Sequence, residues 1–186
     1  MSLITIVTGL PRSGTSLMMQ VFNESNIPVL TDGVREKDEN NTEGYYELDD
    51  VKRIVKDNSF LQNAQGMVLK IVCPLPLFLD LNFNYRVIVM RRNMNEILTS
   101  QEKMLNKNQQ GQRLNLSKIY ESHLSKMYSF FEQNKIEYID VFYSELVDNP
   151  ESVINGVIGF CELTSEIEEL KSVVNPSLYR NRDEKR

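Results

Sequence analysis

The chain has 186 residues, 41% of them hydrophobic and 25% charged. This length and composition fit one domain with an ordinary buried core, and they argue against a largely disordered protein. The net charge of −5 disfavours a general nucleic-acid binder, which carries an excess of Lys and Arg. Any anion must therefore be bound by a local group of cations.

The two ends of the sequence and its two cysteines set further expectations. The opening segment, Met1–Gly9, is apolar but too short to span a membrane, and it lacks the basic start and cleavage site of a signal peptide, so we expect a buried strand and no membrane association. Cys73 and Cys161 each lie inside an apolar stretch, which favours reduced core thiols and a cytoplasmic protein. The segment Arg180–Arg186 is polar throughout and is a candidate disordered tail of a single domain, residues 1–186.

Four apolar runs are separated by segments with helical periodicity. The runs are Leu3–Thr8, Met67–Val72, Tyr85–Met90 and Tyr138–Phe142. The helical patterns are Thr15–Glu24, the segment after Arg92 that contains Ile97 and Leu105, Leu116–Gln133, a segment that begins at Pro150, and Glu166–Val174. This alternation predicts an α/β fold, with one three-layer domain in which four parallel strands are covered by helices on both faces.

One long connection, Thr31–Tyr46, differs from the rest of the chain because it is polar and acidic. Counted as far as Glu47, it carries six acidic side chains. These are Asp32, Glu36, Asp38, Glu39, Glu43 and Glu47. A connection of this length in a compact domain usually has a function.

The segment Gly9–Ser16 joins the first predicted strand to the first predicted helix. The backbone N–H groups of such a loop and the N-terminus of the helix form a concave anion site. Gly9 and Gly14 have the spacing of a Walker A loop, but Thr15 stands where that motif requires Lys, which disfavours a kinase that uses Mg-ATP. The positive charge lies instead inside the loop at Arg12, whose planar guanidinium suits the oxygens of a transferring group.

Two motifs in the expected order resemble those of the sulfotransferase family. Pro-Arg-Ser-Gly-Thr-Ser at positions 11–16 is similar to the loop with which that family holds the 5′-phosphosulfate of 3′-phosphoadenosine 5′-phosphosulfate (PAPS). Arg92 and Ser100, eight residues apart after the third predicted strand, resemble the family's motif for the 3′-phosphate. Two matched motifs about eighty residues apart are much more specific than either one alone.

Weaker similarities extend over most of the chain. Lys70 begins a Lys-x-x-x-Pro segment like the one that lies near the sulfonate, and Tyr143 begins a segment like the one whose Tyr lies beside the adenine. The segments Leu30–Gly33 and Gly44–Glu47 are most similar to those of small bacterial-type sulfotransferase-like proteins.

The resemblance implies a PAPS-dependent sulfotransferase that needs no metal, because a sulfuryl group carries less charge than a phosphoryl group. Its implied PAPS-binding residues are Pro11, Arg12, Ser13, Gly14, Thr15, Ser16, Arg92, Ser100, Tyr143 and Arg180. Arg12 and Lys70 would stabilise charge on the bridging and sulfonate oxygens. The acceptor would be a hydroxyl or amine of a small molecule, a glycan or a peptide.

The general base is a separate question, because the chain departs from the cytosolic sulfotransferases. Those enzymes carry a catalytic His where this chain has Val72. The acidic loop follows the first predicted helix, as does the segment that bears the catalytic Glu of protein-tyrosine sulfotransferases, so Glu36 and Glu47 are the candidate bases. The single histidine, His123, lies mid-helix without a partner at metal-ligand spacing and is not a candidate.

Two alternatives remain open at the level of the sequence. The chain lacks the Arg-Lys-Gly segment that covers the 3′-phosphate in cytosolic members, for which Tyr179–Arg182 is a candidate substitute. Separately, Val72 in place of the catalytic His keeps open a non-catalytic protein with a retained PAPS site. A P-loop kinase acting on a small molecule is the second alternative.

Overall fold

The computed structural model of the protein describes residues 2–33, 44–106 and 110–182. In this part of the chain, five strands form one parallel sheet in the order β2-β3-β1-β4-β5. The strands are β1 (Ile4–Gly9), β2 (Val29–Leu30), β3 (Val68–Lys70), β4 (Tyr85–Arg91) and β5 (Glu137–Phe142). Every residue of β1 is buried, as expected for a central strand that is covered on both faces.

Six α-helices connect and cover the strands that the structure describes. They are α1 (Thr15–Asn23), α2 (Met94–Leu105), α3 (Arg113–Gln133), α4 (Tyr143–Asp148), α5 (Pro150–Cys161) and α6 (Ile167–Ser172). Local sequence explains where two of them begin. The side chain of Asn93 caps α2 by accepting a hydrogen bond from the Asn95 N–H at 2.8 Å. Pro150 is the first residue of α5, where its missing N–H has no cost.

The sheet separates two hydrophobic cores, because alternate residues of each strand point to opposite faces. Ile6 of β1 belongs to the core formed with α3, which includes Met127 and Phe131. Its neighbour Val7 belongs to the second core, on the other face of the sheet, which is formed with α1, α4, α5 and α6 and includes Phe22 of α1. The three-layer α/β fold predicted from the sequence is thereby confirmed.

The four predicted strands are all present, each within three residues of the predicted bounds, and β2 is an addition to them. Cys73 and Cys161 are buried free thiols, as predicted. No helix among the described residues has both the length and the apolar character that crossing a membrane requires.

The topology places the loops that follow β1, β3 and β4 at one edge of the sheet. β1 pairs with β3 on one side and with β4 on the other, so the chain runs in opposite directions across the sheet from β1. Ligands of open parallel sheets bind at such a switch point, outside the carboxyl ends of the strands. Gly9, Lys70 and Arg91 are the last residues of these three strands and mark the edge where a site is expected.

Candidate active site

The loop between β1 and α1 has a backbone that requires glycine at two positions. Gly9 and Gly14 have φ angles of 146° and 103°. A Cβ at Gly14 would lie 2.4 Å from Cδ2 of Tyr143, and one at Gly9 would lie 2.5 Å from the carbonyl oxygen of Met90. Arg12, between them, has a φ of 68°. Left-handed residues in such a turn direct backbone N–H groups toward one side, which forms an anion-binding concavity.

The start of α1 faces that concavity. Gly14 is the N-cap residue and offers no side chain to cap the helix. The N–H of Met18 bonds to the carbonyl of Gly14 at 3.2 Å, so the N–H groups of the preceding turn are left for an anion. The positive end of the helix dipole adds to this preference.

A cavity of about 460 Å³ opens beside this loop. Nine of the predicted PAPS-binding residues line it: Pro11, Arg12, Gly14, Thr15, Ser16, Arg92, Ser100, Tyr143 and Arg180. Lys70 and Glu47, which were predicted to act in catalysis, line it as well. Glu36, the other candidate base, lies outside the described residues.

Ser13 is the predicted binding residue that the structure does not bring to the cavity. It is fully buried, and its N–H donates to the carbonyl of Leu10 at 3.1 Å. Its hydroxyl has no hydrogen-bond partner among the described residues and lies close to Gly9. Ser13 therefore shapes the turn from inside.

Arg12 and α2 make direct contact. The Nε of Arg12 donates to the Ser100 hydroxyl at 3.0 Å, and its Nη1 donates to the Met104 sulfur at 3.6 Å. Arg92 Nη1 donates to the carbonyl of Arg12 at 3.2 Å. The two predicted phosphate motifs, far apart in the sequence, thus form one continuous wall of the cavity.

A buried network holds Arg92 in place. Its Nε donates to Glu96 at 2.8 Å, and the two side chains are 8% and 4% exposed. The guanidinium carbon lies 4.5 Å from the centre of the Tyr143 ring and 5.2 Å from that of Tyr179. The Tyr179 hydroxyl donates to the Glu96 carboxylate at 2.9 Å. Glu96 was not predicted from the sequence, although its four-residue spacing from Arg92 is a signal for an ion pair.

Both tyrosines of this network are neutral at physiological pH. Burial raises the pKa of Tyr143, against a smaller opposing effect of the Arg92 charge. Burial, followed by the contact with Glu96, raises the pKa of Tyr179. The phenol of Tyr179 therefore stays protonated and serves as a donor to Glu96.

Lys70 and Glu47 form the opposite part of the lining. The Lys70 side chain is 3% exposed, and its ammonium donates to the carbonyl oxygen of Tyr45 and lies 3.6 Å from the Glu47 carboxylate. The backbone of Glu47 is itself fixed, since its carbonyl accepts from the Thr31 hydroxyl at 2.8 Å. The end of the acidic loop is therefore anchored beside β2, with its carboxylate next to a buried cation.

The C-terminal segment lies across one side of the cavity. Arg180 and Asn181 contribute to the lining, and Lys103 of α2 donates to the Asn181 side chain at 2.5 Å. Arg182 pairs with Asp148 and lies 4.6 Å from the Tyr179 ring centre. Residues 180–182 of the candidate tail thus pack against the site, and residues 183–186 lie outside the described part of the chain.

Two further residues from the sequence analysis can be placed. Val72 lines the cavity. His123 is half-buried on α3 and does not line the cavity. Within the described ranges, no group of three or more His, Cys, Asp and Glu side chains is arranged to hold a metal ion.

Comparisons with known proteins found a matching family model and solved structures of similar fold. The family model described as "Sulfotransferase domain" matches residues 4–185. A search of curated protein sequences gave no match.

Solved structures of low sequence identity share the fold. The sulfotransferase domain from the Synechococcus PCC 7002 olefin synthase has a TM-score of 0.59 and 16% identity, over 98% of this chain and 88% of that one. The sulfotransferase STF9 from Mycobacterium avium has a TM-score of 0.55 and 13% identity, over 98% and 69%. The sulfotransferase domain from the curacin biosynthetic pathway has a TM-score of 0.53 and 14% identity, over 94% and 78%.

Proposed function

The chain belongs to the sulfotransferase domain family, and from this premise we propose that it moves a sulfuryl group from PAPS to a hydroxyl or amine of an acceptor. The observation that best supports the proposal is that three features meet at one cavity: the anion loop before α1, the Arg92 and Ser100 wall, and the Lys70 and Glu47 pair. The first two suit a nucleotide with phosphates at its 5′ and 3′ positions. The third suits the deprotonation of an acceptor.

The residues of the cavity fit PAPS in size and in donor chemistry. A volume of about 460 Å³ is in the range of pockets that take small organic ligands. The first-turn N–H groups of α1 and the hydroxyls of Thr15 and Ser16 would hold the 5′-phosphate. Glu96 and the Arg12 carbonyl engage Nε and Nη1 of Arg92, which leaves Nη2 for the 3′-phosphate.

The Lys70 and Glu47 pair would carry the chemistry at the other end. PAPS, when bound, supplies an activated sulfuryl group. The ammonium of Lys70 is shielded from water, so its charge acts strongly on nearby oxygens. The Glu47 carboxylate, 3.6 Å from that ammonium, is placed to take a proton from an acceptor hydroxyl or amine. We propose no role for a metal, and the acceptor would be a small molecule, a glycan or a peptide.

Arg12 contacts helix α2. Its guanidinium contacts Ser100 and Met104 on α2, which is the wall proposed for the 3′-phosphate. A role for Arg12 in stabilising the transferring group stays a prediction. It is tested by whether Arg12→Ala lowers kcat or instead weakens nucleotide binding.

The test of the proposed function compares three nucleotides. Adenosine 3′,5′-bisphosphate (PAP), the product of PAPS, should raise the Tm much more than 5′-ADP or Mg-ATP, since a ligand at a hundred times its Kd adds about 2.7 kcal/mol of stability. Labelled sulfate from PAPS should then appear on a member of an acceptor panel. Equal stabilisation by PAP and 5′-ADP would contradict the 3′-phosphate site.

Val72 supports a second candidate, a nucleotide-binding protein without transfer activity. It lines the cavity and cannot take a proton. That candidate predicts stabilisation by PAP and no transfer to any acceptor. The kinase alternative predicts stronger stabilisation by Mg-ATP than by PAP, and Thr15 in place of the Walker Lys argues against it.

A further inference from the structure

A buried polar side chain on α1 has no role in the site as described so far. Gln20 is 7% exposed and lines the cavity. Its side-chain amide forms none of the hydrogen bonds found among the described residues, and it is not one of their fully buried unpaired groups, so it opens into the cavity. An unpaired amide that opens into a cavity is available to donate hydrogen bonds to a ligand.

The position of Gln20 on the helix indicates which end of the cavity it serves. It lies four residues after Ser16, so the two side chains share one face of α1. Helical side chains lean toward the N-terminus, which carries the Gln20 amide back toward the anion loop. α1 also packs against β3, the strand that ends at Lys70. The amide therefore lies between the loop and the Lys70 end of the cavity.

Among the described residues, the other hydrogen-bond donors of the cavity are too few at the Lys70 end to satisfy all three oxygens of a sulfonate. Arg12 directs its guanidinium to Ser100 and Met104 on α2, and Arg92 is held by Glu96 on the same helix. Lys70 is the cation at the end of β3, and its ammonium is shared with the Tyr45 carbonyl and Glu47. A sulfonate presents three oxygens and one negative charge, which one shared ammonium does not satisfy.

We propose, building on the proposed function, that Gln20 binds the sulfonate of PAPS by donating its side-chain N–H groups to the terminal sulfonate oxygens. A neutral amide suits this monoanionic group because it supplies donors without adding a second charge next to Glu47. Gln20 thereby makes the site distinguish PAPS from PAP, which lacks the sulfonate.

The experiment measures the Kd of PAPS and of PAP by calorimetry without acceptor. Gln20→Leu should weaken PAPS binding about tenfold, the effect of one hydrogen bond to a charged group, and should leave the Kd of PAP within about twofold. Gln20→Glu keeps the shape and replaces the donors with a carboxylate, so it should weaken PAPS binding at least as much. Met19→Leu, a neighbour that is buried and outside the cavity lining, is the control for disturbance of α1.

Each other outcome overturns the inference. Equal changes in the Kd of PAPS and PAP, or none, would show that Gln20 does not contact the sulfonate. A raised acceptor KM with an unchanged PAPS to PAP ratio would assign Gln20 to the acceptor. If the unmodified protein binds neither nucleotide, the proposed function fails as well, whereas binding of both with an unaltered ratio in the variants removes the role of Gln20 alone.

Discussion

The Lys70 and Glu47 pair differs from an ordinary surface ion pair because its cation is almost completely buried. Surface pairs contribute little, since water screens both charges. Both side chains line the cavity, but Glu47 is 28% exposed and Lys70 only 3% exposed, so the carboxylate is the more accessible of the two. This arrangement allows Glu47 to exchange a proton with a ligand while its orientation stays fixed.

We expect Glu47→Gln to lower kcat for sulfate transfer by about a hundredfold or more, because a general base contributes on that scale. The Kd of PAP should stay unchanged, since Gln keeps the shape of the side chain. Asp49→Asn is a control two residues away on an exposed side chain that pairs with Lys52. Wild-type rates for Glu47→Gln at all pH values would leave Glu36, tested separately as Glu36→Gln, as the remaining candidate from the sequence.

We expect Arg92→Ala to raise the Kd of PAP about ten- to a hundredfold, through the loss of a charged hydrogen bond to the 3′-phosphate. The Kd of 5′-ADP should change little, because it has no 3′-phosphate to lose. The substitution also leaves the Glu96 carboxylate buried without its cation, so calorimetry must be done well below the Tm of the variant. A parallel loss of affinity for both nucleotides would argue for a general disturbance of the cavity.

Individual functional residues can be predicted from the sequence where their type and spacing match a binding motif, as for Arg92 and Ser100. Gln20 was not found because a polar residue within a helical pattern carries no sign that its amide faces a cavity. The carbonyl of Tyr45 was not found either, since every residue has one and only the fold brings this one to Lys70. These are properties of tertiary placement.

Among the elements, the loop before α1 is the one whose shape depends most on single residues. Gly14 has a positive φ and lies against the Tyr143 ring. Gly156, in the middle of α5, has no atom within 4 Å of the place where a Cβ would be added. Substitution by Ala at these two glycines is therefore a matched comparison: the fold requires Gly at position 14 and does not require it at position 156.

We expect Gly14→Ala to destabilise the protein by about 2–4 kcal/mol, from the positive φ and the overlap with Tyr143. It should also abolish the increase in the free energy of unfolding with PAP, because the N–H groups of the loop would shift. Gly156→Ala should stabilise the protein by about 0.5–1 kcal/mol and leave nucleotide binding intact. Urea unfolding with and without PAP measures both effects, and a Gly14→Ala variant that still responds to PAP would contradict the role of the loop.

β2 is an element that could not be predicted from the sequence. Val29 and Leu30 are too few to form a recognisable periodic run, and they are a strand because they pair with Val68 and Leu69 of β3. The longer strands were predictable, since β-branched runs such as Ile4–Gly9 carry their own signal. Local pattern thus identifies elements that are long, whereas a short edge strand depends on its partner.

For the whole molecule, burial of the two thiols links stability to pH. Burial raises the pKa of Cys73 from 9.0 to about 12. Burial also raises the pKa of Cys161 from 9.0 to about 12, against a smaller opposing effect of Arg86. At a pH between the ordinary thiol pKa and the raised pKa of the folded state, the unfolded chain loses its thiol protons and the folded chain keeps them. The free energy of unfolding therefore falls as the pH rises.

We therefore expect the free energy of unfolding to fall by about 1.4 kcal/mol per pH unit for each cysteine between pH 9 and the folded pKa. Urea unfolding at pH 8, 9 and 10 measures the slope. A Cys73→Ala, Cys161→Ala double variant should lose stability less steeply over the same range, although it is less stable at pH 8. Identical slopes for the two proteins would show that other groups account for the alkaline loss.

The described sheet joins segments that are distant along the chain. Thr5 of β1 pairs with Val68 of β3 and with Arg86 of β4, and Arg86 pairs with Glu137 of β5. Folding of such a topology is slow compared with that of helical bundles, because long loops must close before the contacts form. Ser16, Lys70 and Arg92 meet only after these pairings are made. A nucleotide should therefore find its site late on the folding pathway, so that it slows unfolding and leaves the rate of folding almost unchanged.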